Sequence, residues 1–214
     1  MTSEGLKLIA DSFDGVLKPE LIEEAIAVLR SGGVVAYPTD TFYGLAVDPR
    51  SAKAVRKLFA LKERPAGQAV PLIAADLAQA GAAALFDGPA NRAARTFWPG
   101  PLSLVLPATA LICREVLAPD GSVAVRVPAH PLSRALAARM GFCITATSAN
   151  FTGQQPTASP RVVAASLGDR IDLLLDAGDS PGGAPSTIVD LRGTAPQLVR
   201  PGAVSWDRVL RSIE

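Results

Sequence analysis

Pro19-Glu-Leu-Ile-Glu-Glu-Ala-Ile-Ala-Val-Leu-Arg30, Ser31-Gly-Gly33 and Val34-Val-Ala-Tyr37 read in succession as a helix, a stop and a strand. Proline is tolerated in a first helical turn because its missing N–H would have no partner there, and Leu21, Ile22, Ala25, Ile26 and Leu29 then fall on one stripe. Gly32-Gly33 ends the helix. The short apolar run that follows, cut off by Pro38, reads as a buried strand feeding the polar loop Pro38-Thr39-Asp40-Thr41.

The same alternation continues outward. Ser51 can cap a helix running through Leu61, with Val55, Leu58 and Phe59 inward and Lys62 and Arg64 at its end before Pro65. A strand over Val70 to Ala74 follows, then helices over Asp76 to Leu85 and Pro89 to Phe97, and a strand over Leu102 to Pro107. Pro119-Asp120-Gly121 is a turn signal before a strand over Ser122 to Val127, with a helix over Pro131 to Met140 behind it. Phe142 to Thr147 is expected as one strand running into the polar loop Ser148 to Ser159, with a helix to Leu167 after it. Strands at Leu173 to Asp176, Ser186 to Leu191 and Gln197 to Arg200 precede a terminal helix over Ser205 to Ile213. Helices alternating with strands, and a strand-rich final third, predict an α/β fold on a mixed sheet. With no repeat and no long linker, residues 1–214 are expected to form a single domain.

Composition removes whole classes of function. Hydrophobic residues at 49% and charged residues at 19% suit a folded core rather than a disordered chain. Lys plus Arg (21) against Asp plus Glu (20) leaves a net charge of +1, so no global field recruits nucleic acid or an anionic membrane, and any anion site must be local. Two cysteines, Cys113 and Cys143, and one histidine, His130, exclude disulfide scaffolds and multi-histidine metal sites. Met1 to Lys18 lacks a basic segment followed by an apolar core, and the longest uncharged run, Met140 to Pro160, is too polar for hydrocarbon, so a cytoplasmic protein without membrane contact is expected.

The chain has no Gly-x-x-x-x-Gly-Lys-Ser/Thr run, no Gly-x-Gly-x-x-Gly after a strand and no Gly-x-Ser-x-Gly elbow. What remains is a set of polar residues where predicted strands or helices end: Thr39, Lys62, Arg64, Arg126, Ser148, Asn150, Ser186 and Arg200. Each alone is satisfied by a turn, a helix dipole or local backbone bonding. Arg126 is different, because it interrupts the apolar run Val123-Ala124-Val125-Arg126-Val127 and a charge there needs a partner. That partner is Asp40, Asp48, or a ligand carboxylate or phosphate.

Gly33-Val-Val-Ala-Tyr-Pro-Thr-Asp-Thr-Phe-Tyr-Gly-Leu45 and Leu61-Lys-Glu-Arg-Pro65 closely resemble motifs of the YrdC/Sua5 family of threonylcarbamoyl-AMP synthases. Five further segments match in order: Trp98 to Leu106, Val123 to His130, Thr147-Ser-Ala-Asn150 with Gly153, Ser186 to Asp190, and Arg200-Pro-Gly202. Together they span roughly residues 20 to 204, the extent of the short, single-domain form. Phe42, Ser122 and Ala69 stand where the family often has valine, threonine and proline, and none of these changes removes a charged group.

The resemblance implies a twisted mixed parallel/antiparallel sheet flanked by helices and curved around a deep, positively lined cavity. It implies a nucleotidyltransferase that joins L-threonine, bicarbonate and ATP into threonylcarbamoyl-AMP and pyrophosphate. Downstream tRNA threonylcarbamoyl transferase proteins would then modify adenosine 37 of tRNA, and a weak contact with tRNA itself is compatible with this role. By matching position, Thr39, Arg126, Ala146 and Ser186 resemble the L-threonine site, with Arg126 on the amino acid carboxylate. Lys62, Arg64, Ser148 and Asn150 match the set around the reacting centre, and Lys62, Ser122, Ser148 and Arg200 match ATP contacts. Tyr43 is placed on the cavity wall or in the core behind it. Mg²⁺ is expected to accompany ATP through phosphate oxygens and water, with no dedicated protein metal site and no prosthetic group. An RNA-binding module of the same shape, and a paralogue with another carbamoyl-adenylate substrate, are the competing readings.

Overall fold

The computed structural model describes residues 7–10, 19–65 and 67–214. The remainder of the Met1 to Lys18 segment, on which the signal-peptide reading rests, lies outside the described residues. In chain order the elements begin with β1 (Lys7–Ala10), α1 (Pro19–Arg30), β2 (Val35–Tyr37), β3 (Gly44–Ala46) and α2 (Ala52–Lys62). Next come β4 (Leu72–Ile73), α3 (Leu77–Ala83), α4 (Gly88–Phe97), β5 (Leu102–Pro107), β6 (Ser122–Arg126) and α5 (Pro131–Met140). The last third holds β7 (Ile144–Thr145), β8 (Thr147–Ser148), α6 (Pro160–Leu167), β9 (Leu173–Asp176), β10 (Thr187–Asp190), β11 (Gln197–Arg200) and α7 (Trp206–Ile213). Among the described residues, no helix is long and apolar enough to cross a membrane.

The strands divide between two mixed sheets, with orders β1-β9-β2-β3-β8 and β11-β10-β5-β6-β4-β7. In the first, β1, β9 and β2 run parallel and β3 and β8 add antiparallel. In the second, β10 pairs parallel with β5 and β4 parallel with β6, while the other neighbours are antiparallel.

Packing on both faces of the strands explains their unbroken apolar runs. Val34 and Ala36 enter one buried cluster with Leu58, Leu104, Val125 and Leu174. Val35 and Tyr37, pointing the other way, enter a second with Ile26, Leu29, Leu136, Met140, Leu173 and Leu175. Helices α1 and α5 supply the cover for that second face. Their boundaries agree with expectation, since proline in the first turn and Gly141 in the left-handed region at the end of α5 are local signals.

Two expectations are corrected and one strand is added. The run from Phe142 to Thr147 is not one strand, because β7 pairs with β4 in the second sheet whereas β8 pairs with β3 in the first. The chain crosses between sheets at Ala146, whose N–H donates to the Pro71 carbonyl at 2.8 Å. Helix α3 stops at Ala83 rather than Leu85, because Ala84 bridges to Ala108 and the Leu85 N–H donates to the Pro107 carbonyl. Strand β3 lies between the Pro38–Thr41 loop and the Ser51 cap, where the sequence reading assigns no element; three residues starting with glycine carry no alternation to reveal it.

Candidate functional site

A cleft of ≈ 390 Å³ opens where the two sheets part. The first sheet contributes Gly44 from β3 and Ser148 from β8; the second contributes Leu72 and Ile73 from β4, Ser103 from β5, Arg126 from β6, Ile188 from β10 and Arg200 from β11. Of the residues singled out from sequence, Thr39, Tyr43, Arg64, Arg126, Ala146, Ser148, Ser186 and Arg200 all line it. Lys62 and Asn150 sit behind its wall, and Ser122 is not brought to it.

Three guanidinium groups reach the cleft from separate elements. Arg126 ends β6, where its Nη1 donates to Asp40 Oδ1 at 2.8 Å, and the two side chains are only 8% and 11% exposed. Asp40 is therefore the partner that the apolar strand required, and Asp48 instead takes Arg50. Arg64 follows α2, which ends with Glu63 in the left-handed region (φ 52°). That turn swings Arg64 away from the helix, so that its Nη2 donates to the Ala69 carbonyl at 2.6 Å and its Nη1 to Thr147 Oγ1 at 3.3 Å. Its buried Nε has no protein acceptor, and burial pulls its pKa down. Arg200 leaves the exposed strand β11 and turns back, its Nη2 donating to the Ser186 carbonyl at 2.7 Å and to Ser186 Oγ at 3.0 Å. Desolvation, then the nearby charge of Arg126, lower the Arg200 pKa.

Hydroxyls complete the lining. Ser186 Oγ lies 3.1 Å from Ser103 Oγ, and both side chains are buried. Sequence reasoning had not singled out Ser103, although a serine inside Leu102-Ser-Leu-Val-Leu106 carries the same signal as Arg126, a polar group in an apolar strand. Thr39 Oγ1 donates to the Phe42 carbonyl at 2.7 Å and accepts from the Thr41 N–H at 3.2 Å, which shapes the loop between β2 and β3. Tyr43 Oη donates to the Gly178 carbonyl at 2.8 Å, so its ring is both core and wall.

Lys62 is 3% exposed, and its Nζ donates to the carbonyls of Ser148 at 2.5 Å and Asn150 at 2.7 Å. Burial, with Arg64 adding repulsion, lowers this ammonium to about 8. It thus ties the end of α2 to the Ser148–Asn150 backbone and puts a positive charge behind the cleft wall. Asn150 Nδ2 donates to the Phe151 and Gln154 carbonyls, both at 2.8 Å, which closes the loop after β8 and leaves its buried Oδ1 without a partner. Ser122 opens β6 four positions before Arg126, and its Oγ donates to Asp120 Oδ1 at 2.7 Å. At the rise of a strand, roughly 3.3 Å per residue, it stands about 13 Å along from the guanidinium-bearing end.

The segment after β11 is clamped against the cleft. Ala203 N–H donates to the Pro185 carbonyl at 2.9 Å, and Val204 N–H and carbonyl both bond Thr187 Oγ1. A methyl group on Gly202 would collide with the Pro185 carbonyl oxygen and come within 2.5 Å of the Thr187 nitrogen. Gly202→Ala is therefore expected to cost about 1–3 kcal/mol, read as a Tm lowered by several degrees, because backbone cannot yield as a side chain does. An unchanged Tm would show that this clamp is loose.

Guanidinium and hydroxyl groups thus converge on one cleft between the two mixed sheets of an α/β protein. The family model for Sua5/YciO/YrdC proteins, described as telomere recombination, matches residues 27–202. The chain belongs to this family. It is 44% identical over 160 residues, 74% of this chain, to a threonylcarbamoyl-AMP synthase of Halorhodospira halophila, of which it covers 83%. It is 36% identical over 88% of its length to a threonylcarbamoyl-AMP synthase of Bacillus subtilis, of which it covers 55%. The crystal structure of Pyrococcus abyssi Sua5 complexed with L-threonine superposes with a TM-score of 0.88 at 32% identity, over 97% of this chain and 60% of that one. This chain thus spans a little over half the length of the last two.

Proposed function

We propose that the chain is an L-threonylcarbamoyl-AMP synthase, a single-domain nucleotidyltransferase that consumes L-threonine, bicarbonate and ATP and releases pyrophosphate. The observation that carries this reading is the meeting of Arg64, Arg126 and Arg200 on one cleft with Thr39, Ser148 and Ser186. The relatives' names supply the substrate class, and the cleft supplies a chemical reason for it.

Threonine carbamate carries two carboxylate-type charges and must approach an α-phosphate that is itself anionic. Repulsion between the reactants is the main obstacle, and fixed cations in a partly dry cleft offset it without a protein nucleophile. Arg126 takes the amino acid carboxylate, with Thr39 and Ser186 as hydroxyl partners and Ala146 offering backbone. Arg64, Ser148 and Arg200 face the phosphates, and the charge of Lys62 supports them through the Ser148–Asn150 backbone. Tyr43 lines the wall. Mg²⁺ accompanying ATP would be held by the nucleotide's oxygens and water and would offset phosphate charge, since among the described residues no group of three or more His, Cys, Asp or Glu side chains is placed to hold a metal ion. The threonine amine bonds to the bicarbonate carbon with loss of water to give the carbamate, and a carbamate oxygen then forms the new bond to the α-phosphorus as the bond to pyrophosphate breaks. The product, an activated carbamoyl donor, passes to the transferases that modify tRNA, in keeping with a cytoplasmic location.

Pyrophosphate release measured with threonine, bicarbonate and ATP, and with each omitted in turn, tests the assignment. Release indifferent to threonine would defeat it. A pH profile adds a second check. Since the Lys62 ammonium titrates at about 8, activity is expected to decline as pH rises through that value and the charge behind Ser148 is lost. A flat rate from about pH 7 to about pH 9.5 would show that this charge is not used.

A further inference from the structure

We infer that Asp40 is a positioning residue for the amino acid carboxylate, acting entirely through Arg126. Asp40 does not line the cleft; Arg126 does. The carboxylate spans two donors: Oδ1 accepts from Arg126 Nη1 at 2.8 Å and Oδ2 from the Ala129 N–H at 3.1 Å. Arg126 and Ala129 lie on either side of the bend that carries the chain from β6 into α5. One side chain therefore pins both the guanidinium and the backbone that leads away from it.

Its own loop is held on each side. Ser133 Oγ, on α5, donates to the Pro38 carbonyl at 2.7 Å, and the Gly182 N–H donates to the Thr41 carbonyl at 2.7 Å. Among the described residues, Asp40 supplies the only acceptor bonded to the Arg126 side chain. A guanidinium has five N–H donors in a rigid fork, so fixing one Nη leaves donors free in a set plane, the geometry a ligand carboxylate grips bidentately. Without Asp40, Arg126 would keep its charge and lose its aim. The pairing also reduces the net positive charge at that end of the cleft, so the subsite selects by orientation more than by field strength.

This inference rests on the proposed threonine-dependent reaction. The test measures KM for threonine, KM for ATP and kcat for wild type, Asp40→Ala and Asp40→Asn, with threonine affinity by calorimetry and Tm for each. Asp40→Ala is expected to raise KM and Kd for threonine about 10- to 100-fold, with kcat at saturation and KM for ATP changed less than about threefold. Asp40→Asn, which keeps an acceptor for Arg126 but turns an amide N–H toward Ala129, should recover part of the loss. A purely structural role would lower Tm and kcat without that split, and together with an unaltered threonine KM would overturn the inference. Should Asp40→Ala not fold, Asp40→Leu, which fills the same space without an acceptor for Arg126, overturns it equally if its threonine affinity is that of wild type. Wild type that neither binds threonine nor needs it for pyrophosphate release fails the functional reading itself, and the role of Asp40 falls with it.

Discussion

Arg126→Ala should lower kcat/KM for threonine by at least about 100-fold, the largest single loss expected from any cleft residue. Truncating one member of a buried, hydrogen-bonded charge pair costs roughly 2–5 kcal/mol in binding contexts, and every 1.4 kcal/mol is about tenfold. Here two losses combine. The ligand carboxylate loses its cationic partner, and Asp40, 11% exposed, is left as an unpaired charge beside the site. The second loss also appears in stability, where breaking a buried ion pair from one side costs about 3–5 kcal/mol. Steady-state pyrophosphate release against threonine, with a thermal melt of the same preparation, separates the two effects. A variant that melts lower but keeps the threonine KM would remove Arg126 from the amino acid subsite.

Lys62→Met is expected to behave differently. Methionine fills a similar volume and removes the cost of burying an ammonium, but it leaves the Ser148 and Asn150 carbonyls without their donor. An unsatisfied buried acceptor costs about 1–3 kcal/mol, partly offset by the relief of desolvation. The fold should therefore survive with a modest loss of Tm, while kcat falls by about 100-fold or more, the size seen when one preorganised electrostatic donor is removed. The high-pH decline should vanish from whatever activity remains. Retention of most of kcat would mean that Lys62 serves the fold alone.

The helices α1, α2 and α5 were legible because their signals are local: Pro19 and Pro131 in first turns, Ser51 as a cap accepting from the Ala54 N–H, and apolar stripes between. The strand boundaries around the cleft were not. Whether residues 142–147 form one strand or two is decided by β3 and β4, which lie about 70 or more positions earlier, and no periodicity within the segment records that choice. The cleft shows the same division. Arg126 was detectable as a charge in an apolar strand, and the sequence narrowed its partner to Asp40, Asp48 or a ligand; only the placement of the β2–β3 loop beside β6 decides for Asp40. Ser122 matched by position, yet its hydroxyl serves Asp120 at the opposite end of the strand. Lys62 matched as well, but its side chain addresses backbone carbonyls, a bond that residue identity at the accepting end cannot reveal.

The crossing at Ala146 makes the protein's chemistry a gauge of its own integrity. Ser148 hangs from one hydrogen-bonded ladder, and Arg126 and Arg200 from the other. Any partial melting that let the halves drift apart would disperse the charges while most secondary structure persisted. In a denaturant series, turnover should therefore disappear ahead of the circular dichroism signal.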